Sequence, residues 1–115
     1  MSGKVGLSLV LAATMAVSIC VPMAMADDTG VAASLHSLRR EAGRVCMTDH
    51  WHYGSSGVQS SKKRAQSDAI RSWADFTAFE YGTDWARWYR ARSRKVSCSR
   101  ASGGYRCDVE ARPCK

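Results

Sequence analysis

The chain has 115 residues, with 17 Lys and Arg against 10 Asp and Glu and a formal net charge of +7. This length allows one domain and excludes a two-domain enzyme, a channel, or a nucleotide-binding unit joined to a separate substrate domain. Hydrophobic residues make up 45% of the chain, which is ordinary for a globular protein and too many for a wholly disordered one.

The first 26 residues have the pattern of a secretory signal peptide. Lys4 supplies the positive charge, an apolar run extends from Val5 to Val21, and Ala24-Met25-Ala26 is a small-x-small cleavage site. A transmembrane anchor is one alternative, but the apolar run is short for a span. A lipoprotein attached through Cys20 is another, but the residue before that cysteine is large. The sequence therefore predicts cleavage after Ala26, a periplasmic or secreted protein, and no transmembrane span in the mature chain.

The predicted mature chain, residues 27–115, keeps four cysteines: Cys46, Cys98, Cys107 and Cys114. An even number of cysteines in a small exported chain predicts two disulfides. No C-x2-C spacing of the kind that holds structural zinc is present. A core this small buries little surface, so the disulfides are expected to matter for stability.

Hydrophobic periodicity predicts three elements in the first half of the mature chain. Apolar residues at helical spacing predict a short amphipathic helix over 31–42. A run rich in β-branched and aromatic residues predicts a strand over 45–53, and the Gly-Ser-Ser-Gly segment at 54–57 predicts a loop after it.

The longest helical signal covers 61–81. Its apolar stripe is predicted to contain Ala65, Ala69, Trp73, Phe76 and Phe79. Gly82 ends this helix, and a second helix is predicted over 85–93.

Two short strands, 95–99 and 105–110, are predicted around a glycine-rich turn. If Ser102-Gly103 form the two-residue loop, Cys98 lies opposite Cys107 and a cross-strand disulfide is possible, which leaves Cys46 to pair with Cys114. If Gly103-Gly104 form the loop, Cys98 faces Val109 and the pairing stays open. Four cysteines allow three connectivities, of which we favour the one with Cys98–Cys107.

These elements predict a small α+β domain over 27–115. A long broken helix is expected to pack on a two- or three-stranded antiparallel sheet, with disulfides tying the C-terminal third.

His50 and His52 form the most chemically suggestive pair in the sequence. Residues i and i+2 of a strand point to the same face, so the two imidazoles can meet one ion. Copper and zinc both accept imidazole ligands, and only His36 or nearby carboxylates can add further ligands. The alternative is a pair of half-exposed strand histidines that hydrogen-bond to their neighbours. No cofactor beyond this candidate metal is predicted.

Residues 85–95 interleave aromatic side chains with five positive charges and contain no acid. Guanidinium groups beside aromatic faces suit anionic ligands, sugar rings or a membrane surface. In the alternative, the aromatics belong to the core and the arginines are solvated. Export argues against nucleic acid as a partner, which leaves an envelope component, peripheral contact with lipid headgroups, or an acidic protein. The predicted binding residues are Trp85, Arg87, Trp88, Arg90, Arg94 and Lys95.

Catalysis finds little support in the sequence. A Cys/His pair needs a free thiol, which the even cysteine count argues against. Paired carboxylates are available only as exposed acids of the long helix and as Asp108 with Glu110. The chain is therefore predicted not to be an enzyme.

Several short motifs together resemble small exported proteins of unassigned function found in alphaproteobacteria. The motifs are HWHYG at 50–54, AIxxWxxFT at 69–77, EYGxxWA at 80–86 and the closing Pro113-Cys114. The resemblance covers about 45–115. It implies export and a compact α+β fold, and it implies no activity, cofactor or catalytic residue.

The sequence thus favours an exported, disulfide-stabilised binding module for an anionic envelope component or partner protein. A periplasmic copper- or zinc-binding protein that uses His50 and His52 is the alternative. An inhibitor or host-interaction protein that acts through its hairpin is a third possibility.

Overall fold

The computed structural model describes residues 35–115, and the predicted signal peptide lies outside this part of the chain. Five strands and one long helix follow in the order β1, β2, β3, α1, β4 and β5, with a short 3-10 turn at Thr83–Trp85 after the helix. The elements are β1 Leu38–Glu41, β2 Arg44–Met47, β3 His52–Gln59, α1 Lys62–Tyr81, β4 Arg92–Ala101 and β5 Gly104–Arg112. Within residues 35–115, no helix is long and apolar enough to cross a membrane.

The strands form two antiparallel sheets. β1 and β2 make a hairpin, and β3, β5 and β4 make a three-stranded sheet with β5 in the centre. α1 packs on one face of this sheet, where Trp73 is fully buried above Val109 and Ala111 of β5. The predicted α+β class, with a helix on an antiparallel sheet, is therefore confirmed.

α1 begins and ends where its sequence predicts. The Ser61 hydroxyl accepts a hydrogen bond from the Arg64 N–H at 3.1 Å and so caps the first turn. Gly82 has φ +95°, and its N–H closes the last turn onto the Ala78 carbonyl. The predicted helix over 61–81 is thus confirmed to within one residue.

The buried stripe of α1 differs from the predicted one. It consists of residues spaced four apart, Ala65, Ala69, Trp73 and Thr77, whereas Phe76 and Phe79 are 47% and 89% exposed. A row of residues at i, i+4 drifts around the helix by about 40° per step. The helix face that contacts the sheet therefore shifts around the helix axis from Ala65 to Thr77, and Phe79 lies outside it.

Gly54 is where α1 approaches the sheet most closely. A Cβ placed on Gly54 would lie 2.5 Å from the Trp73 backbone nitrogen and 2.9 Å from the Trp73 Cβ. The glycine that predicted a loop is therefore a strand residue whose missing side chain makes room for the helix. The predicted loop at 54–57 is wrong, because these residues lie inside β3.

Two other predicted elements are also wrong. Residues 38–41 form β1 rather than the end of a helix, because Ala42 and Gly43 have φ +47° and +75° and turn the chain back into β2; residues 31–34 lie outside the described part. The predicted strand over 45–53 is interrupted between Met47 and His52.

The helix predicted over 85–93 is absent. The structure has the 3-10 turn up to Trp85, then turns, and β4 starts at Arg92. Trp85 packs with Met47, and Trp88 packs edge-on against Trp73 with ring centroids 5.3 Å apart. Trp85 and Trp88 are three residues apart, which is helical spacing, but each packs on a different part of the core and no helix forms.

Both disulfides have the favoured connectivity. The loop of the β4–β5 hairpin is Ser102-Gly103, which places Cys98 directly opposite Cys107, and these residues are bridged. Cys46 is bridged to Cys114, 68 residues further along the chain. The second bridge fastens the β1–β2 hairpin to the segment that follows β5.

An ion pair between Arg112 and Glu41 also joins the end of β5 to the β1–β2 hairpin. Arg112 at the end of β5 donates from Nη1 and Nη2 to both carboxylate oxygens of Glu41, at 2.7 and 2.8 Å. Its Nη1 also donates to the Met47 carbonyl at 2.7 Å. Hydrogen bonds from Arg112 and, to a smaller extent, from Arg39 lower the pKa of Glu41 to about 2, although burial acts in the opposite direction.

Candidate metal centre

The two predicted metal-binding histidines lie at the start of β3. His52 is its first residue and is 2% exposed, whereas His50 is half-buried in the segment before the strand. Their Nε2 atoms are 2.9 Å apart. The two imidazoles therefore lie close together as the sequence predicted, although His50 is outside the strand.

A threonine of α1 fixes the proton position on His52. The Thr77 hydroxyl donates its one proton to the Trp73 carbonyl at 2.7 Å. Towards the His52 Nδ1, 2.8 Å away, this hydroxyl can therefore only accept. A proton must sit on Nδ1, so neutral His52 presents an unprotonated Nε2 to the other side of its ring.

Glu80 supplies a third ligand atom from the last turn of α1. Its Oε2 lies 3.1 Å from His52 Nε2. One ligand atom each from His50, His52 and Glu80 fall within 4.8 Å of one another. Zinc bonds of about 2.05 Å to a tetrahedral ligand set would space the ligand atoms roughly 3.3 Å apart. The three side chains thus need only small movements to hold one ion.

Aromatic rings contact this cluster. The His52 ring contacts those of Phe76 and Tyr81, with centroid distances of 4.8 and 5.2 Å. His36 stacks on His50 at 4.2 Å, and its Nε2 lies 2.5 Å from the Tyr81 hydroxyl. His36, which the sequence offered as a further ligand, is therefore a neighbour of the cluster and is bound to Tyr81.

The surroundings favour neutral imidazoles. Burial lowers the pKa of His52 to about 4, assisted by the nearby His50, while Glu80 acts in the opposite direction. Burial also lowers the pKa of His50, with His36 adding to the effect. Metal ions bind the neutral form of histidine, so these shifts favour metal binding over protonation.

Sequence reasoning missed Glu80 and Thr77. Both are on α1, and they meet His52 only because the helix crosses β3 at Gly54. One signal was present in the sequence. Thr77 lies four residues after Trp73 and continues the i, i+4 row of buried residues, so its hydroxyl is expected to be buried in the core. A buried hydroxyl needs a partner, and a buried histidine is a suitable one.

The predicted basic face is dispersed in the structure. Trp85 is fully buried and Trp88 is half-buried, so their rings form core rather than a flat binding surface. Lys95 pairs with Glu110 on the three-stranded sheet, and Arg94 Nη1 lies 3.5 Å from the Trp88 carbonyl. Of the predicted set, Arg87 and Arg90 line a common concavity.

Comparison with models of protein families, with curated proteins and with solved structures finds no match to this chain. The resemblance to small exported alphaproteobacterial proteins therefore stays a prediction.

Proposed function

We propose that this chain is an exported metal-binding protein that holds one Zn²⁺ or Cu²⁺ ion through His50, His52 and Glu80. The observation that carries the proposal is the convergence of one potential ligand atom from each of three side chains, all within 4.8 Å of one another. Because Thr77 keeps the His52 proton on Nδ1, the lone pair of His52 Nε2 faces a second imidazole nitrogen and a carboxylate oxygen. A cation bound between these atoms would satisfy all three at once.

The hydrogen bond on the far side of His52 supports the same reading. Histidine ligands commonly donate their other N–H to an oxygen acceptor, which fixes the ring and raises its basicity as a ligand. Thr77 fills this role for His52. Two imidazoles and one carboxylate form a ligand set that zinc accepts with a fourth position left for water, and copper accepts imidazole equally well. The Glu80 side chain is 35% exposed, which leaves a route for the ion.

The two disulfides are compatible with an extracellular or periplasmic protein. We place this function in the periplasm or outside the cell, because the leader pattern at 1–26 adds to the disulfides. Intact-mass analysis of protein purified from its host is expected to give a chain that starts at Asp27. Recovery of a chain that keeps residues 1–26 in the envelope fraction would contradict this.

The test of the metal site is titration calorimetry of the oxidised, chelator-treated protein with Zn²⁺ and with Cu²⁺. One ion is expected to bind per chain. Glu80→Gln and His50→Gln are each expected to weaken binding by at least about tenfold, since each removes a ligand. Asp75→Asn is the matched control, because it neutralises an exposed carboxylate of the same helix, and it is expected to bind as the wild type does.

Two results would overturn the proposal. One is failure of the folded wild-type protein to bind either ion. The other is undiminished binding in Glu80→Gln, with its thermal midpoint confirming that the variant is folded. Glu80 and His50 are chosen over His52 because they are less buried, so their replacement disturbs the core less.

A further inference from the structure

A second candidate site lies in the basic concavity between β1, the turn after the 3-10 segment and the last residue of the chain. This concavity has a volume of about 420 Å³. Four cationic side chains line it: Arg40, Arg87, Arg90 and Lys115. The one acidic side chain in the lining is Asp84, and Arg87 binds it at 3.0 Å. The side chains of the lining therefore carry a large excess of positive charge.

The backbone around the concavity is held in place from several directions. Arg44 donates from Nη1 to the Arg90 carbonyl at 3.0 Å and so fastens the turn to β2. Val45 and Lys115 exchange two backbone hydrogen bonds, of 3.0 and 2.9 Å. The Cys46–Cys114 bridge joins the residues next to this pair. Ordering these cationic side chains around a ligand therefore costs little additional backbone entropy.

Two of the cations lack the partners that would normally neutralise them. Within residues 35–115, neither Arg40 nor Arg90 takes part in an ion pair. The Nε of Arg90 is buried and has no acceptor among the described residues. A buried donor without an acceptor is costly, and like charges gathered in one concavity attract an anion. The guanidinium group also matches the geometry of phosphate oxygens.

We propose that this concavity binds an anion that carries a phosphate group. The proposal does not depend on the metal centre, which uses other residues. It keeps Arg87 and Arg90 of the predicted binding face, adds Arg40 and Lys115, and leaves out Trp85 and Trp88. The phosphate can belong to a small soluble compound or to the headgroup of an anionic phospholipid, and both present the same oxygens to the arginines.

Two measurements test the site and identify the source of the phosphate. Titration with inorganic pyrophosphate probes a soluble ligand, and co-sedimentation with phosphatidylglycerol vesicles, compared with phosphatidylcholine vesicles, probes a headgroup. In whichever assay shows binding, the double variant Arg40→Gln/Arg90→Gln is expected to lose at least about tenfold in affinity. The matched control Arg94→Gln/Arg106→Gln removes the same charge outside the concavity and is expected to stay within about twofold of the wild type.

Absence of binding in both assays would overturn the proposal, and so would an equal loss in the control pair, because the effect would then be one of net charge alone. If Arg90→Gln lowers the thermal midpoint, Arg40→Gln by itself decides the matter. Arg40 is exposed on β1 and makes no ion pair within residues 35–115, so its replacement leaves the fold intact and is still expected to weaken binding several-fold. Full binding by folded Arg40→Gln would also count against the site.

Discussion

The hydroxyl of Thr77 accepts a hydrogen bond from His52 across the contact between α1 and β3, at 2.8 Å. The proton of this hydroxyl is committed to the Trp73 carbonyl. One residue of the helix therefore determines which nitrogen of a strand histidine is free.

This relationship gives the first prediction. Thr77→Val keeps the shape of the side chain but removes the acceptor, so the His52 ring is expected to lose its fixed tautomer. Zinc or copper affinity should fall by about 10- to 100-fold, as for other partners of metal-bound histidines. Thr77→Ser restores a hydroxyl and is expected to recover most of the affinity. If Thr77→Val binds metal as tightly as Thr77→Ser, the hydroxyl does not position the ligand.

The second prediction concerns the contact between α1 and β3. Gly54→Ala places a methyl group against the backbone of Trp73, so the helix must move away from the sheet. We expect a loss of about 3 kcal/mol in the free energy of unfolding, measured by denaturant titration. Ser55→Ala, at the neighbouring exposed position, is the control and should cost under about 1 kcal/mol. Similar losses in the two variants would mean that the close approach is not what constrains this strand.

The third prediction concerns acid stability. Because Arg112, together with Arg39, lowers the folded-state pKa of Glu41 from 4.5 to about 2, the stabilisation from this carboxylate is complete above pH 4.5 and is lost as the pH falls towards 2. The shift corresponds to roughly 3 kcal/mol of unfolding free energy across that interval.

Glu41→Gln is expected to remove this part of the pH dependence and to lower stability at neutral pH, since Arg112 is left buried without its partner. The control is Glu110→Gln, which breaks a pair with the exposed Lys95 and should cost under about 1 kcal/mol. The measurement is the unfolding free energy at several pH values. An unchanged slope between pH 4.5 and 2 in Glu41→Gln would contradict the assignment.

The fourth prediction compares the two disulfides. Cys46–Cys114 spans 68 residues, and Cys98–Cys107 spans nine. In the chain-entropy account, closing the longer loop removes more freedom from the unfolded chain, by about 2 kcal/mol. Replacing both cysteines of the Cys46–Cys114 pair by alanine should therefore destabilise the protein more than the same change at Cys98 and Cys107. The reverse order in denaturant titrations would show that local packing outweighs loop length.

The parts of the fold that sequence reasoning predicted correctly are those that local chemistry determines. Ser61 and Gly82 mark the ends of α1, and the Ser102-Gly103 loop sets the register that brings Cys98 opposite Cys107. In each case the decisive residues are within one turn of the element that they define.

The incorrect predictions occur where distant contacts decide the local structure. Gly54 looks like a loop residue until a helix packs against it. Trp85 and Trp88 have helical spacing, but each is anchored to a different partner. At the candidate site, the two histidines were visible as a pair because they are two residues apart. Glu80 was not, because only the packing of α1 on β3 brings it there.

The spacing of the candidate ligands has a consequence for folding as well as for binding. His52 opens β3 and Glu80 is in the last turn of α1, so a bound ion would close a loop of 28 residues inside the longer loop that Cys46–Cys114 closes. It would act as a third cross-link, reversible where the other two are covalent. By mass action, saturation at 100 times the dissociation constant would add about 2.7 kcal/mol to the stability of the folded chain. The lifetime of the protein against proteases would then rise and fall with the supply of metal.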